Sequence, residues 1–559
     1  RARRENRLVF VSVGYFACHW CHVMQRESFR DPAVAQLLNE RFIPVKVDRE
    51  LRPALDARLI EFVRSTRGQA GWPLNLFVTP DGHPLVGTVY LPRDDFLQLL
   101  QRLDRRWHSE GEELAELARE AAEEAAPPAT PSAGATLAEG LGESYRQRLA
   151  DAALSFADTL EGGFGEGNKF PMAPQMEALL ALLPEEVDYP LRDFLATTLD
   201  HMAERGLHDL LGGGFFRYAT DPGWQIPHFE KMLYDNTQLA RLYLIAGERL
   251  GEPRYTAIGR ETLEFMLREL ATPEGAFIAS LSAVDDQGVE GGYYLFRPET
   301  LDRLLPPPQR RIAAAAWELE GPPTLEAGLL PRRVRRSEEV ANGTGIPRQE
   351  VERLLAGAAE RLRAERARRG LPRDTKVIAA WNGLALAALA RGARLPDGTA
   401  YRQAAARLER FLRTRLWRGE RLLRSAEPEI PGTLEDYAQV ALGLLEWSEA
   451  GGGDASRLLA ERIAGEGWRR FHDARGWKSE EASLLSPEVR EAVLADDVLP
   501  SPSATLIEVL LRLGGAERRD EALRALNRGH RQLTLEPLWY ASHIRLIDAW
   551  QSGRLRPRG

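Results

Sequence analysis

"GYFACHWCHVM" (residues 14–24) contains both cysteines of the 559-residue chain. Its centre, Cys18-His19-Trp20-Cys21-His22, fits two spellings at once: C-x-x-C-H of covalent haem attachment and C-x-x-C of a redox dithiol. The flanking sequence separates them. "RLVFVSVG" (7–14) is a continuous apolar run, as a buried central strand should be, so the cysteines follow a strand and open a helix. "AVAQLLNERF" (33–42) then has helical spacing, "IPVKVD" (43–48) reads as a second strand, and "RPALDARLIEFVRSTR" (52–67) as an amphipathic helix. "PLNLFVT" (73–79) and "PLVGTVYL" (84–91) flank "PDGH" (80–83), whose Asp-Gly supplies hairpin turn chemistry. "DDFLQLLQRLDRRW" (94–107) closes the unit as a helix with an acidic start.

This β–α–β–α–β–β–α order predicts a thioredoxin fold over residues 1–108. Such folds carry a cis-proline beside the dithiol, and Pro73 of "AGWPLNLF" is the candidate. Cys18 at a helix N-terminus gains from the helix dipole and from unpaired N–H groups, which favour the thiolate. His19 adds positive charge, and Cys21, one turn inside, is the expected resolving thiol. A metal site is the third reading. Cys18, His19, Cys21 and His22 offer donors, but consecutive helical residues point in different directions and no second C-x-x-C completes a zinc site. No metal and no cofactor are therefore expected.

The bulk numbers bound the rest. Hydrophobic residues at 44% and charged residues at 28% describe an ordinary globular composition, and the length requires more than one core. The net charge of −8 argues against nucleic acid as a partner. No run of apolar residues is long enough to span a membrane. Two cysteines this close build no structural disulfide framework, so a reducing, cytoplasmic location is expected. Among 74 basic residues only five are lysine, namely Lys46, Lys169, Lys231, Lys376 and Lys478. A chain this biased towards arginine is expected to keep lysine where a compact ammonium is needed.

Residues 109–136 read as an Ala/Glu-rich helix followed by the Pro/Ala-rich linker "APPATPSAGAT" (126–136). From 137 to 559 the chain is almost all helix and repeats loosely. Segments opening at Tyr234, Trp381 and Leu434 each pair a small-residue-rich apolar helix with an Arg/Glu-studded one across a Gly-containing turn. The first helix is too apolar for a surface, while the second is amphipathic. Roughly twelve helices in six inner–outer pairs suit closure into an (α/α)6 toroid. A β excursion (276–296) interrupts the repeat.

Beyond these patterns, "GYFACHWCHVMQRESFRDPAVAQLLNERFIPVKVDRELRP" and "GWPLNLFVTPDG" resemble the spermatogenesis-associated protein 20 family. So do "GGFGEGNKFP", "GGGFFRYATDPGWQIPHFEKMLYDNTQLA", "DTKVIAAWNGL" and "LEDYA", so the resemblance covers essentially the whole chain. It implies a thioredoxin fold joined to a toroid similar to N-acylglucosamine 2-epimerases and six-hairpin glycosidases. The chain departs from the family where Ser282 and Val284 stand at positions of expected carboxylates, and where Leu51 replaces an acidic residue.

In such a barrel the inner helices run parallel and their N-termini open at one end. The expected pocket there gathers Lys169, Phe170, Trp224, His228, Glu230, Lys231, Asp235, Lys376, Trp381, Asn382, Glu435, Asp436 and Tyr437. Aromatic rings offer faces for sugars, and carboxylates with histidine suit acid–base work. Two functions follow as expectations. One is thiol–disulfide exchange with protein thiols and a thioredoxin-type reductant. The other is a carbohydrate-type pocket, catalytic like an epimerase or glycosidase, or only binding. A non-catalytic scaffold or metal-binding protein is the third.

Overall fold

The computed structural model describes residues 1–125, 134, 136–184, 190–321, 323 and 325–555. The described chain falls into two units. Most of the stretch read as a linker, 126–136, lies outside the described residues.

The first unit contains the predicted sheet. Strands β1 (Val9–Gly14), β2 (Ile43–Asp48), β3 (Leu74–Val78) and β4 (Pro84–Thr88) form the order β2-β1-β3-β4. β1 runs parallel to β2 and antiparallel to β3, and β3 is antiparallel to β4. β1 reads as an unbroken apolar run because both its faces are covered. Phe10 packs with Met24, Val34, Leu38, Phe77 and Phe96 on one side. Val11 and Val13 pack with Leu55, Leu59 and Val63 on the other. The helix Arg93–Glu124 continues past 108 and breaks its conformation at Glu110, where φ is −135°.

This unit also takes in residues 430–434 and 469–492, which the sequence reading assigns to the toroid. Arg58 donates from its guanidinium to Ser483 Oγ (2.8 Å) and to the Leu485 carbonyl (2.9 Å). Leu485, 8% exposed, joins the core of Leu55, Leu59 and Val63. Beyond the end of the helix Gly453–Phe471 it holds only the two-residue strands His472–Asp473 and Gly476–Trp477, too short for their spacing to announce where the segment packs.

The second unit is the (α/α)6 toroid. Its inner helices are Ala173–Leu182, Leu233–Leu250, Ala379–Gly392, Leu434–Trp447, Pro502–Leu513 and Ala541–Gln551. The first three pack in that order, and Ala541–Gln551 packs against both Pro502–Leu513 and Ala173–Leu182. Glycines let Ala379–Gly392 and Leu434–Trp447 approach closely: a Cβ on Gly383 would lie 2.5 Å from the Gln439 backbone, and one on Gly443 would lie 2.3 Å from Gly383 O. Six outer helices accompany them: Leu141–Phe156, Pro190–Glu204, Pro253–Phe265, Thr399–Phe411, Gly453–Phe471 and Ala516–Leu526. An insertion adds Pro298–Leu304, Pro307–Trp317, Ser337–Thr344 and Arg348–Arg366, with its own core around Ile312, Trp317, Val351 and Leu362. Among the described residues no helix is long and apolar enough to cross a membrane.

Candidate functional site

The dithiol sits where strand β1 gives way to the helix His19–Met24. Cys18 is the N-cap residue, with extended backbone, and its Sγ accepts the Cys21 N–H at 3.1 Å. An N-cap side chain that accepts a helix amide satisfies one of the orphan donors of the first turn. Here that acceptor is sulfur. Cys18 and Cys21 are joined as a disulfide with Cα atoms 5.3 Å apart. Gly14 makes room for it, since a Cβ there would lie 2.8 Å from Cys21 Sγ. The Trp72–Pro73 peptide is cis, and Val13 pairs with Leu74, so Pro73 comes directly before the last pair of the β1–β3 ladder. Cys18 is only 3% exposed, whereas Cys21 is half-buried.

Aromatic and charged groups surround the pair. His19 meets the exposed Trp20 edge to face at 5.6 Å, and Trp20 lies 5.0 Å from Tyr90. The Arg49 guanidinium stacks 3.8 Å from the Trp72 ring, and Asp56 accepts the Trp72 indole N–H at 2.8 Å. Sequence reading misses Arg49 because the ring it stacks on leads into β3, distant from it in the chain.

At the toroid mouth, short paired strands precede the inner helix Leu233–Leu250. His228 Nε2 lies 2.9 Å from Glu230 and Nδ1 lies 2.9 Å from Glu290. Glu230 is fully buried and also receives Arg217 at 3.0 Å. Burial alone would lower the His228 pKa, but the two carboxylates outweigh it and raise the pKa to about 9. Tyr218 lies 5.1 Å from His228 and stacks on Phe170 at 4.6 Å. Phe170 is 42% exposed, so the aromatic wall reaches solvent.

A second cluster opens the helix Leu434–Trp447. The buried Arg424 binds Asp436 (3.0 Å) and Glu435 (3.1 Å), and Asp436 also accepts the Ala380 N–H. Burial raises the Glu435 pKa, Arg424 opposes this, and Asp436 adds to the rise. Trp381, buried, meets Tyr234 edge to face at 4.8 Å.

Several predicted pocket residues serve the scaffold instead. Trp224 is fully buried and packs over Gly163, with its indole donating to Glu161 O at 3.0 Å, so it is core and not a wall. Lys169 is buried against Asp158 at 2.9 Å, and Lys231 against Asp209 at 2.7 Å. Lys376 pairs with Asp374 at 3.1 Å. Asn382 bonds both backbone groups of Phe277, and Tyr437 accepts the Leu422 N–H. Asp235 is half-buried in the first turn of its helix. Glu290, Arg217, Tyr218 and Arg424 complete the clusters but were not singled out by sequence. Their partners lie across hairpins that spacing does not reveal. Ser282 Oγ accepts the Val284 N–H at 3.1 Å, so these departures from the family pattern form a buried turn.

The family model Thioredox_DsbH, described as a protein of unknown function, DUF255, matches residues 1–126. The chain is similar to cellobiose 2-epimerase from Spirochaeta thermophila (13% identity, 75% of this chain and 98% of that one, TM-score 0.46). It is also similar to a thioredoxin from Thermus thermophilus (25% identity, 20% of this chain and 85% of that one, TM-score 0.16). Human spermatogenesis-associated protein 20 is 31% identical over 92% of this chain and 72% of its own length. The mouse protein of that name is 30% identical over 99% of this chain and 77% of its own length. The chain belongs to the spermatogenesis-associated protein 20 family.

Proposed function

We propose that this chain is a thiol–disulfide oxidoreductase working through Cys18 and Cys21. The observation that carries the proposal is Cys18 Sγ accepting the Cys21 amide at the helix N-terminus. A hydrogen bond and a helix dipole aimed at sulfur favour the thiolate, which is the nucleophile. In the reduced protein, the Cys18 thiolate attacks a disulfide of a partner protein. A Cys18–partner disulfide forms and the partner's other sulfur leaves as a thiolate. Cys21, deprotonated, attacks Cys18 Sγ, closing the intramolecular disulfide and releasing the second partner thiolate. A thioredoxin-type reductant returns the two electrons. Equilibrating the full chain in graded glutathione buffers and trapping free thiols tests this. A reversible two-electron transition supports it, and its absence rejects it.

A carbohydrate-type site in the toroid is the second reading. It is favoured by the Phe170–Tyr218 stack running to an imidazolium held between two glutamates. Stacking faces with carboxylates beside them, which accept from hydroxyl groups, suit a sugar ring. Thermal shift with a sugar panel tests it, because a ligand specific to the folded state raises stability.

A further inference from the structure

Strand β3 begins at Leu74, and residues 69–73 before it form neither helix nor strand. Backbone pairing therefore ends short of the cis Trp72–Pro73 peptide, and side chains must fix where that peptide stands. Three of them meet at Trp72, which is half-buried. Asp56, 6% exposed, accepts the indole N–H at 2.8 Å from the helix Pro53–Arg67. The Arg49 guanidinium lies 3.8 Å from the centre of the Trp72 ring. Tyr15 meets the same ring edge to face at 6.0 Å.

Two of these three belong to the dithiol side. The Tyr15 carbonyl accepts the Cys18 N–H at 3.3 Å, so Tyr15 opens the turn that presents Cys18. The Arg49 N–H donates to the Gly14 carbonyl at 3.0 Å, which continues the β1–β2 pairing one step past Asp48. The Arg49 backbone is thus tied to the strand that leads into the dithiol. Its side chain, 13% exposed, reaches out over both Tyr15 (5.3 Å) and Trp72, with Asp56 3.6 Å from Nε. A planar guanidinium stacks on an aromatic face while its edge meets a carboxylate, and an ammonium has no such plane.

We infer that Arg49 is a positioning residue for the dithiol reaction: it clamps the loop carrying Pro73 to the loop carrying Cys18. The clamp sets one wall of the approach to Cys18, and a folded partner protein must dock against that wall before its disulfide meets the thiolate. A small disulfide reaches the sulfur without it. Holding reacting groups in place is worth orders of magnitude in rate, and a loop free to wander forfeits part of it. This role presupposes the oxidoreductase reading and adds to it a residue that favours protein disulfides over small ones.

The test uses the full chain as the Cys21→Ser variant, in which a Cys18 adduct accumulates, with insulin as the protein disulfide and glutathione disulfide as the small one. Adduct formation is followed by mass, and the loop by amide hydrogen exchange. Added Arg49→Met should slow the reaction with insulin by about tenfold or more and leave that with glutathione disulfide within about twofold. Arg49→Lys should behave like Arg49→Met, because it keeps the charge and loses the stack. Exchange at residues 69–72 should quicken in both while β1 and β3 stay unchanged. A merely structural arginine would slow both disulfides alike or neither. Either result, or unchanged exchange at 69–72, overturns the clamp and leaves the oxidoreductase reading standing. Full reactivity of Arg49→Lys towards insulin assigns the effect to charge and overturns the clamp as well. No adduct from either disulfide in Cys21→Ser alone overturns both readings. Arg49→Lys keeps a cation beside Asp56, so it decides the matter even where Arg49→Met does not fold.

Discussion

His228 lies between two glutamates, with Nε2 2.9 Å from Glu230 Oε1 and Nδ1 2.9 Å from Glu290 Oε1. Each ring nitrogen faces an acceptor, so the imidazole is held as the doubly protonated cation. Its charge is therefore fixed at neutral pH, and with both N–H groups given to the glutamates it is an electrostatic anchor at the mouth and not a base.

The first prediction concerns that cation. Its folded pKa of about 9 lies above the ordinary 6.5, so the folded state binds the proton more tightly. The stabilisation is complete below pH 6.5 and is lost as pH rises from 6.5 through 9, by roughly 3 kcal/mol in all. Imidazole NMR should place the His228 titration near 9, and Glu290→Gln should move it downward. A midpoint near 6.5 in both proteins would remove the clamp.

Asp209 offers a sharper stability test. It is 2% exposed and receives Lys231 at 2.7 Å and Arg366 at 2.8 Å. Asp209→Asn leaves two buried cations without their carboxylate, and breaking a buried pair costs roughly 3–5 kcal/mol. Chemical denaturation should show a loss of that order. A loss below about 1 kcal/mol would mean the cations find other partners.

How far the sequence speaks depends on the range of each interaction. The dithiol was legible because Cys18, Cys21 and the strand before them are contiguous, and because Pro73 is positioned by a strand that alternation identifies. The toroid was legible because Tyr234, Trp381 and Leu434 open segments of nearly equal, helical-hairpin length. The scaffold lysines were not. Lys169 and Lys231 lie in polar motifs, but their carboxylate partners Asp158 and Asp209 come from separate loops. Trp224 was assigned to a pocket wall, yet its φ of 60° turns it onto Gly163 in the core. Residues 469–492 were invisible for another reason: they join the first unit through Leu485 and Arg58 contacts, and beyond the end of a helix carry only two strands of two residues each.

That excursion yields the third prediction. Leu485 is 8% exposed within the core of Leu55, Leu59 and Val63. Leu485→Ala should destabilise the first unit by about 2–4 kcal/mol, the usual cost of a buried leucine truncation. Amide exchange in β1 and β3 should quicken while exchange in the toroid helices stays unchanged. Uniform quickening in both units would contradict the assignment of this segment to the first.

The central claim is that Cys18 attacks and Cys21 resolves. Acidity favours Cys18, which caps the helix and accepts an amide hydrogen, although Cys21 is the more exposed residue. The direct measurement is trapping of the mixed disulfide. Cys21→Ser and Cys18→Ser variants of the full chain are each reduced, mixed with a disulfide-bonded protein, and analysed by mass under non-reducing conditions. The account predicts a stable covalent adduct on Cys18 in Cys21→Ser, and little or none in Cys18→Ser. An adduct confined to Cys21, or none in either variant, would contradict it.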